Sequence, residues 1–174
     1  TEKDVKAIVF GLKTGIINEE NRTLNFKMRP EQVEAVKRAS GYFKSFKKEK
    51  RTPHFLWNCK MRFGKTFAAY QLAKKMGWKK VLVLTFKPAV ETAWEEDISN
   101  HVDFEGWQFF SRHSDIGYKK LKQNKPIVCF GSFQDYLGRN SLGGIKAKNE
   151  WVHKTKWDCI IFDEYHYGAW RELA

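Results

Sequence analysis

"NCKMRFGKTFAAY", Asn58 to Tyr70, decides how the chain is read. Its loop ends in Gly64-Lys65-Thr66 and passes at once into "TFAAYQLAKKMG", which reads as a helix closed by Gly77. Ahead of it "HFLWN", His54 to Asn58, is a short apolar run that reads as a buried strand. A strand, a loop of the form G-x-x-x-x-G-K-[ST] and a helix make up a phosphate-binding loop. Here the eight positions read "CKMRFGKT": Cys59 replaces the first glycine, and Arg62 fills another position where glycine is usual. The chemistry tolerates this. Such a loop aims backbone N–H groups at phosphate oxygens from a helix N-terminus. Gly64 lets the backbone come close, Lys65 supplies a point charge to the β and γ phosphates, and Thr66 offers a hydroxyl to Mg²⁺. Cys59 is small enough to open the loop. Arg62 and Phe63 are expected to point outward, with Arg62 in reach of a phosphate or a partner domain.

Working outward, apolar runs alternate with amphipathic ones. "KVLVLTF" (Lys80 to Phe86) and "PIVCFGS" (Pro126 to Ser132) read as strands covered on both faces, and "WQFFS" as a further short strand. "RPEQVEAVKRASGYFKSFKK" reads as an amphipathic helix carrying Val33, Val36, Ala39, Phe43 and Phe46 at three- and four-residue steps, with Pro30 in its first turn. "PAVETAWEEDISN" reads as a helix from Pro88, "SDIGYKKLKQN" as a weak helix and "FQDYLG" as a short helix or turn. "RNSLGGIKAKNE" (Arg139 to Glu150) reads as a mobile loop. The alternation predicts an α/β fold, a three-layer sandwich around a mainly parallel sheet, with ligands at the C-terminal ends of the strands. Residues 1–27 form a lead-in segment and 28–174 the domain.

The last strand, "WDCIIFDE", runs into Asp163-Glu164-Tyr165-His166. It ends in acids at the same edge as the GKT loop. In a nucleotide-hydrolysing domain the first acid holds Mg²⁺ and the next orients or deprotonates the attacking water. His166 is placed to link the nucleotide site to a neighbouring domain or to nucleic acid.

Composition narrows the classes. The chain has 174 residues, 42% apolar and 16% aromatic, which suits one globular domain and excludes wholesale disorder. No apolar run approaches the ~18–20 residues of a membrane span. The start, "TEKDVKAIVF", carries neither an initiator Met nor a signal-peptide pattern, and is read as a cytoplasmic domain cut from a longer protein. Three cysteines without CxxC spacing argue against a disulfide framework or a zinc site. The net charge of +12 suits a polyanion such as nucleic acid, although a solvated lysine-rich surface accounts for part of it.

"CKMRFGKT" and "DEYH" together resemble motifs I and II of superfamily 2 helicases and translocases, in a flavour similar to the motors of restriction-type enzymes and their DEAD/DEAH-box relatives. The resemblance runs from Met28 to Glu172 and implies the first of two RecA-like P-loop domains. "MRPEQVEAV" resembles the arginine-proline-x-glutamine segment, which makes Gln32 an adenine contact by resemblance. "VLVLTFKPAVETAWEEDI" resembles the next motif, whose loop (here Thr85 to Pro88) meets the nucleic-acid backbone, so Lys87 and Pro88 are implied contacts. "VCFGSFQDYLG" places Ser132, Phe133 and Gln134 where a threonine-aromatic-glutamine segment often stands, and Ser132 and Gln134 join the same surface. The implied cofactors are ATP and Mg²⁺. Lys65, Asp163, Glu164 and His166 are the implied catalytic set, with Arg62, Phe63, Gly64, Lys65 and Thr66 around the nucleotide. DNA or RNA, a second RecA-like domain, and nuclease or methyltransferase domains are the implied partners, and no membrane. The isolated chain is expected to turn over ATP weakly or not at all. Tyr165 departs from the DEAD, DEAH and DECH forms. A nucleic-acid-binding module with a decayed nucleotide site, kept open by Arg62 and Phe63, and a small P-loop kinase remain as alternatives.

Overall fold

"VLVL", Val81 to Leu84, is apolar at every position, and the structure buries both faces of the strand that carries it. The computed structural model describes residues 22–47 and 51–164. "VKAIVFGL" in the lead-in segment, which reads as either a short helix or a strand, and Tyr165 and His166 lie outside the described residues. In chain order the elements are α1 (Pro30–Ser45), α2 (Lys65–Met76), β1 (Lys80–Thr85), α3 (Glu91–Asn100), β2 (Gln108–Phe110), β3 (Ile127–Ser132), α4 (Phe133–Leu137), α5 (Glu150–Lys154) and β4 (Cys159–Asp163). The four strands form one sheet in the order β2-β3-β1-β4, every pair parallel. Parallel neighbours need crossovers: α3 lies between β1 and β2, α4 and α5 between β3 and β4, and the link from β2 to β3 carries only a 3-10 turn.

Alternation along the strands sorts side chains into two layers. Val81 and Val83 join Phe67, Tyr70, Trp94, Ile98 and Phe104 beneath α2 and α3. Leu82 and Leu84 join Ile127, Cys129, Tyr136 and Val152 under α4 and α5. α1 packs outside α2 through Val36, Ala39, Ala68 and Leu72. The predicted three-layer α/β arrangement is thus present. Residues 22–26 are seated on the domain as well: Leu24 bridges His101, and Phe26 packs against Phe67.

Four expectations are corrected. "HFLWN" is not a strand: no strand among the described residues pairs with it, and Leu56 is 81% exposed. An apolar run becomes a strand only where a ladder partner exists, and within this one only Trp57 is half-buried. The stripe of α1 is rotated from the predicted one. Val33 is 46% exposed, while Gln32 is buried and its amide satisfied by hydrogen bonds. "SDIGYKKLKQN" yields a single 3-10 turn, Tyr118–Lys120, because Tyr118 leaves the would-be helix to stack on Trp151 at 4.2 Å. "RNSLGGIKAKNE" is an organised turn in which Asn140 Oδ1 accepts the N–H groups of Leu142 and Gly144, and the unforeseen α5 follows. No helix among the described residues is long and apolar enough to cross a membrane.

Gly131, the next-to-last residue of β3, lies against the ring of Tyr136, whose hydroxyl donates to the Phe130 carbonyl. A methyl group there would collide with that ring. Gly131→Ala is therefore expected to cost about 1–3 kcal/mol, read as a lower urea midpoint. An unchanged midpoint would show that Tyr136 has room to move.

Candidate functional site

The register of the sheet sets the site. Thr85 at the end of β1 lies level with Ser132 on one side and Asp163 on the other. Three strands therefore deliver their C-terminal residues in one row. Against it stands the N-terminus of α2, which begins at Lys65 directly after Gly64.

The loop arrives there under constraint. Gly64 has a left-handed backbone (φ 77°), and a Cβ on it would lie 2.5 Å from Gln32 Nε2. Glycine is favoured on both counts: it adopts this backbone freely and leaves Gln32 its place. The first helical bond of α2 runs from Ala68 N–H to the Gly64 carbonyl, and no side chain caps the helix. The N–H groups of Lys65, Thr66 and Phe67 thus precede any helical acceptor, the arrangement that receives anions. Thr66 is half-buried in the first turn. Arg62 is also left-handed (φ 63°), and so is Glu164 (φ 55°). Among the described residues these are the two non-glycine positions of that kind, and both flank the same spot. Such backbone costs of order 1–3 kcal/mol and persists where surroundings enforce it.

The enforcing contacts come from the segment before α1. Arg29 Nη2 donates to the carbonyls of Arg62 (2.7 Å) and Phe63 (2.5 Å). Gln32 Nε2 donates to the carbonyls of Phe63 (3.0 Å) and Gly64 (3.1 Å), while its Oε1 accepts the Arg29 N–H at 2.8 Å. Gln32 thus ties the loop backbone, through its amide N–H groups, to the backbone at Arg29, through its amide oxygen. Arg62 is exposed, as expected. Phe63 does not point outward. Its ring is half-buried against Trp57 and the α1–α2 cluster, because that cluster offers an apolar surface the loop must cover.

At the centre, Lys65 Nζ lies 2.6 Å from Asp163 Oδ1 and 2.7 Å from Glu164 Oε1. Burial opposes the lysine's charge, but the hydrogen bonds it donates to both carboxylates, together with their negative charge, outweigh it and hold the ammonium above its usual range. Asp163 is 4% exposed, and its other oxygen, Oδ2, accepts the indole N–H of Trp94 at 2.9 Å. Cys59 opens the loop nearby. Burial raises its thiol above the ordinary range, against the pull of Lys65, so it behaves as a small neutral side chain.

The structure thus brings together Gln32, Gly64, Lys65, Thr66, Asp163 and Glu164. The residues expected on a nucleic-acid surface lie along the same edge. Lys87 donates its N–H to Thr85 Oγ1, and Pro88 starts a 3-10 turn. Ser132 caps α4 through a reciprocal pair of bonds with Asp135, and Gln134 is exposed. Stacked rings of Phe86, Phe133 and Phe162 join these segments. Sequence reading missed Arg29 as a loop brace and Trp94 as a carboxylate partner. The arginine was visible in "RPEQ". Trp94 carried no signal beyond an apolar position in a helix. Among the described residues no group of three or more metal-ligating side chains is present.

An all-parallel α/β sheet with a GKT loop and a strand-end acid defines a RecA-like P-loop domain. The chain matches the family described as type III restriction enzyme, res subunit, over residues 25–172, and it belongs to that family of helicase-like superfamily 2 motors. It is 39% identical over 150 residues to a Mycoplasma pneumoniae protein named as the C-terminus of a candidate type II restriction enzyme and methyltransferase. That match covers 81% of this chain and 20% of the relative, so the chain spans about a fifth of that protein's length. No solved structure matches the chain.

Arg29→Ala removes two of the bonds that hold the loop carbonyls. Hydrogen exchange at the amides of residues 60–64 is expected to rise at least about tenfold, with global stability changed by less than about 1 kcal/mol. Exchange that stays as slow as in the wild type would mean that Gln32 alone holds the loop.

Proposed function

We propose that this chain is the ATP-binding half of a DNA-dependent motor in a restriction enzyme. What supports the reading is the single cluster in which the half-buried Lys65 meets Asp163 and Glu164 beside the uncapped start of α2. The donor set fits a magnesium nucleotide: a lysine and backbone N–H groups for phosphate oxygens, a hydroxyl and a buried carboxylate for a hard cation. Thr66 and Asp163 would hold the Mg²⁺, which when bound neutralises charge on the β and γ phosphates. Lys65 would exchange its carboxylate partners for phosphate. Glu164, next to Asp163, would orient water and accept its proton, and His166 would carry the state of the site to a neighbouring domain. Gln32, Arg62 and Phe63 border the region where the base and sugar would lie.

DNA would run along the edge formed by Lys87, Pro88, Ser132 and Gln134, drawn by the chain's net charge of +12. A second RecA-like domain would complete the ATP site, and nuclease or methyltransferase domains would give the motor its task. The name of the Mycoplasma relative joins restriction and methylation in one protein.

Calorimetric titration with Mg-ATP tests the core of this reading. Lys65→Ala is expected to weaken binding about 100-fold, the loss of a charge-assisted contact to phosphate. Glu164→Gln is expected to bind within about threefold of wild type, and in a chain carrying the second domain to slow turnover at least about 100-fold. Equal affinities for wild type and Lys65→Ala would refute a working phosphate loop. Failure to bind ATP even with the second domain present would favour a nucleic-acid module with a decayed site.

A further inference from the structure

We propose that Trp94 is a positioning residue for the metal-facing carboxylate. Its indole N–H holds Oδ2 of Asp163, so that Oδ1 alone faces Lys65 and a divalent cation. The assignment rests on the nucleotide reading above and adds to it a residue outside the loop and the strand-end acids.

The geometry is specific. Trp94 is 2% exposed and Asp163 4% exposed, and the bond between them at 2.9 Å is buried. The tryptophan is itself fixed. Tyr70, fully buried in α2, donates its hydroxyl to the Trp94 carbonyl at 2.7 Å. The two rings meet edge to face at 5.4 Å. One contact chain therefore runs from the helix that carries Lys65, through α3, to the acid at the end of β4. Simple core packing does not demand it. The half-buried Trp57 packs in the same region with its indole nitrogen unpartnered, and Trp157 satisfies its own with the Val152 carbonyl. Trp94 alone of these three spends its N–H on a carboxylate.

The consequence is chemical. A carboxylate can bind a cation through either oxygen or both, and a free one rotates between these modes. With Oδ2 held by the indole, Asp163 would keep one orientation and present Oδ1 to a cation. Partners that orient a ligand in this way are worth about 10–100-fold in metal affinity.

The test uses the 174-residue chain. ATP affinity is measured by calorimetry in EDTA and across a Mg²⁺ series, for wild type, Trp94→Phe, Asp163→Ala and the double variant. Trp94→Phe keeps a buried aromatic ring and removes the N–H. It is expected to change metal-free ATP affinity by less than about twofold and to lower apparent Mg²⁺ affinity about 10–100-fold. In the Asp163→Ala background it is expected to cost nothing further, as a residue acting through Asp163 must. An unchanged Mg²⁺ dependence, equal losses with and without Mg²⁺, or the same loss in both backgrounds would each overturn the assignment. If Trp94→Phe fails to fold, the indole proton resonance of Trp94 in the wild type carries the test. It is expected to shift when Mg²⁺ joins the ATP complex and to stay put with ATP in EDTA. Indifference to Mg²⁺ overturns the proposal. Where the wild-type chain alone shows no Mg²⁺-dependent ATP binding, the same series is run with the second domain present, and absence of binding there too overturns the nucleotide reading and this assignment together. Normal wild-type Mg²⁺ dependence with an indifferent Trp94→Phe overturns this assignment alone.

Discussion

Asp163 is a carboxylate with almost no solvent, and its charge must be met inside the protein. Removing a carboxylate from water costs several kcal/mol, and the cost is recovered only where geometry is good and the remaining lone pairs are satisfied. Both oxygens are: Lys65 takes one and Trp94 the other. The lysine comes from the first turn of α2 and the tryptophan from α3. Meeting the needs of one acid therefore fixes the P-loop helix, the helix after β1 and the last strand relative to one another. The parallel register, which sets Thr85 level with Asp163, brings the acid to the edge where this can happen.

Strain is concentrated at the same place. Arg62 and Glu164 keep a left-handed backbone without being glycine, one on each side of Lys65's contacts. Neither could hold that conformation unaided. Arg29 and Gln32 anchor the loop carbonyls at Arg62, Phe63 and Gly64, and Lys65 anchors Glu164 through its side chain. The same bracing holds the start of α2, whose first N–H groups have no helical acceptor, at the strand-end acids.

Much of this was legible in sequence because the signals were redundant. The continuous apolar runs of β1 and β3 read as strands covered on both faces, and both are buried along their length. GKT and DE, each weak alone, were both expected at strand C-terminal ends and do meet there. What was not legible depended on partners distant in sequence. "HFLWN" looks like β1 in composition, and only the absence of a ladder partner among the described residues keeps it from being a strand. Tyr118 left its helical pattern for a ring 33 residues away in sequence (151 − 118), which no local periodicity encodes. Gln32 and Trp94 follow the same rule. Their positions on their helices could be read, but the hydrogen bonds that give them meaning belong to the loop and to the acid.

The departures from the glycine pattern then follow from backbone geometry. Glycine is retained at Gly64, where the backbone is left-handed and any Cβ would meet Gln32. It is absent at Cys59, whose backbone is not left-handed and whose small, half-buried thiol stays neutral. Arg62 is the instructive case. Its φ of 63° is one that glycine adopts freely, which is why glycine is usual at that place in such loops. Here the conformation survives with a long side chain, held by Arg29 on the Arg62 carbonyl. The loop has exchanged glycine's freedom for an external brace and gained an exposed guanidinium beside the site. A glycine pattern is thus a proxy for backbone shape, and a chain that imposes the shape by other contacts can lose the pattern and keep the loop.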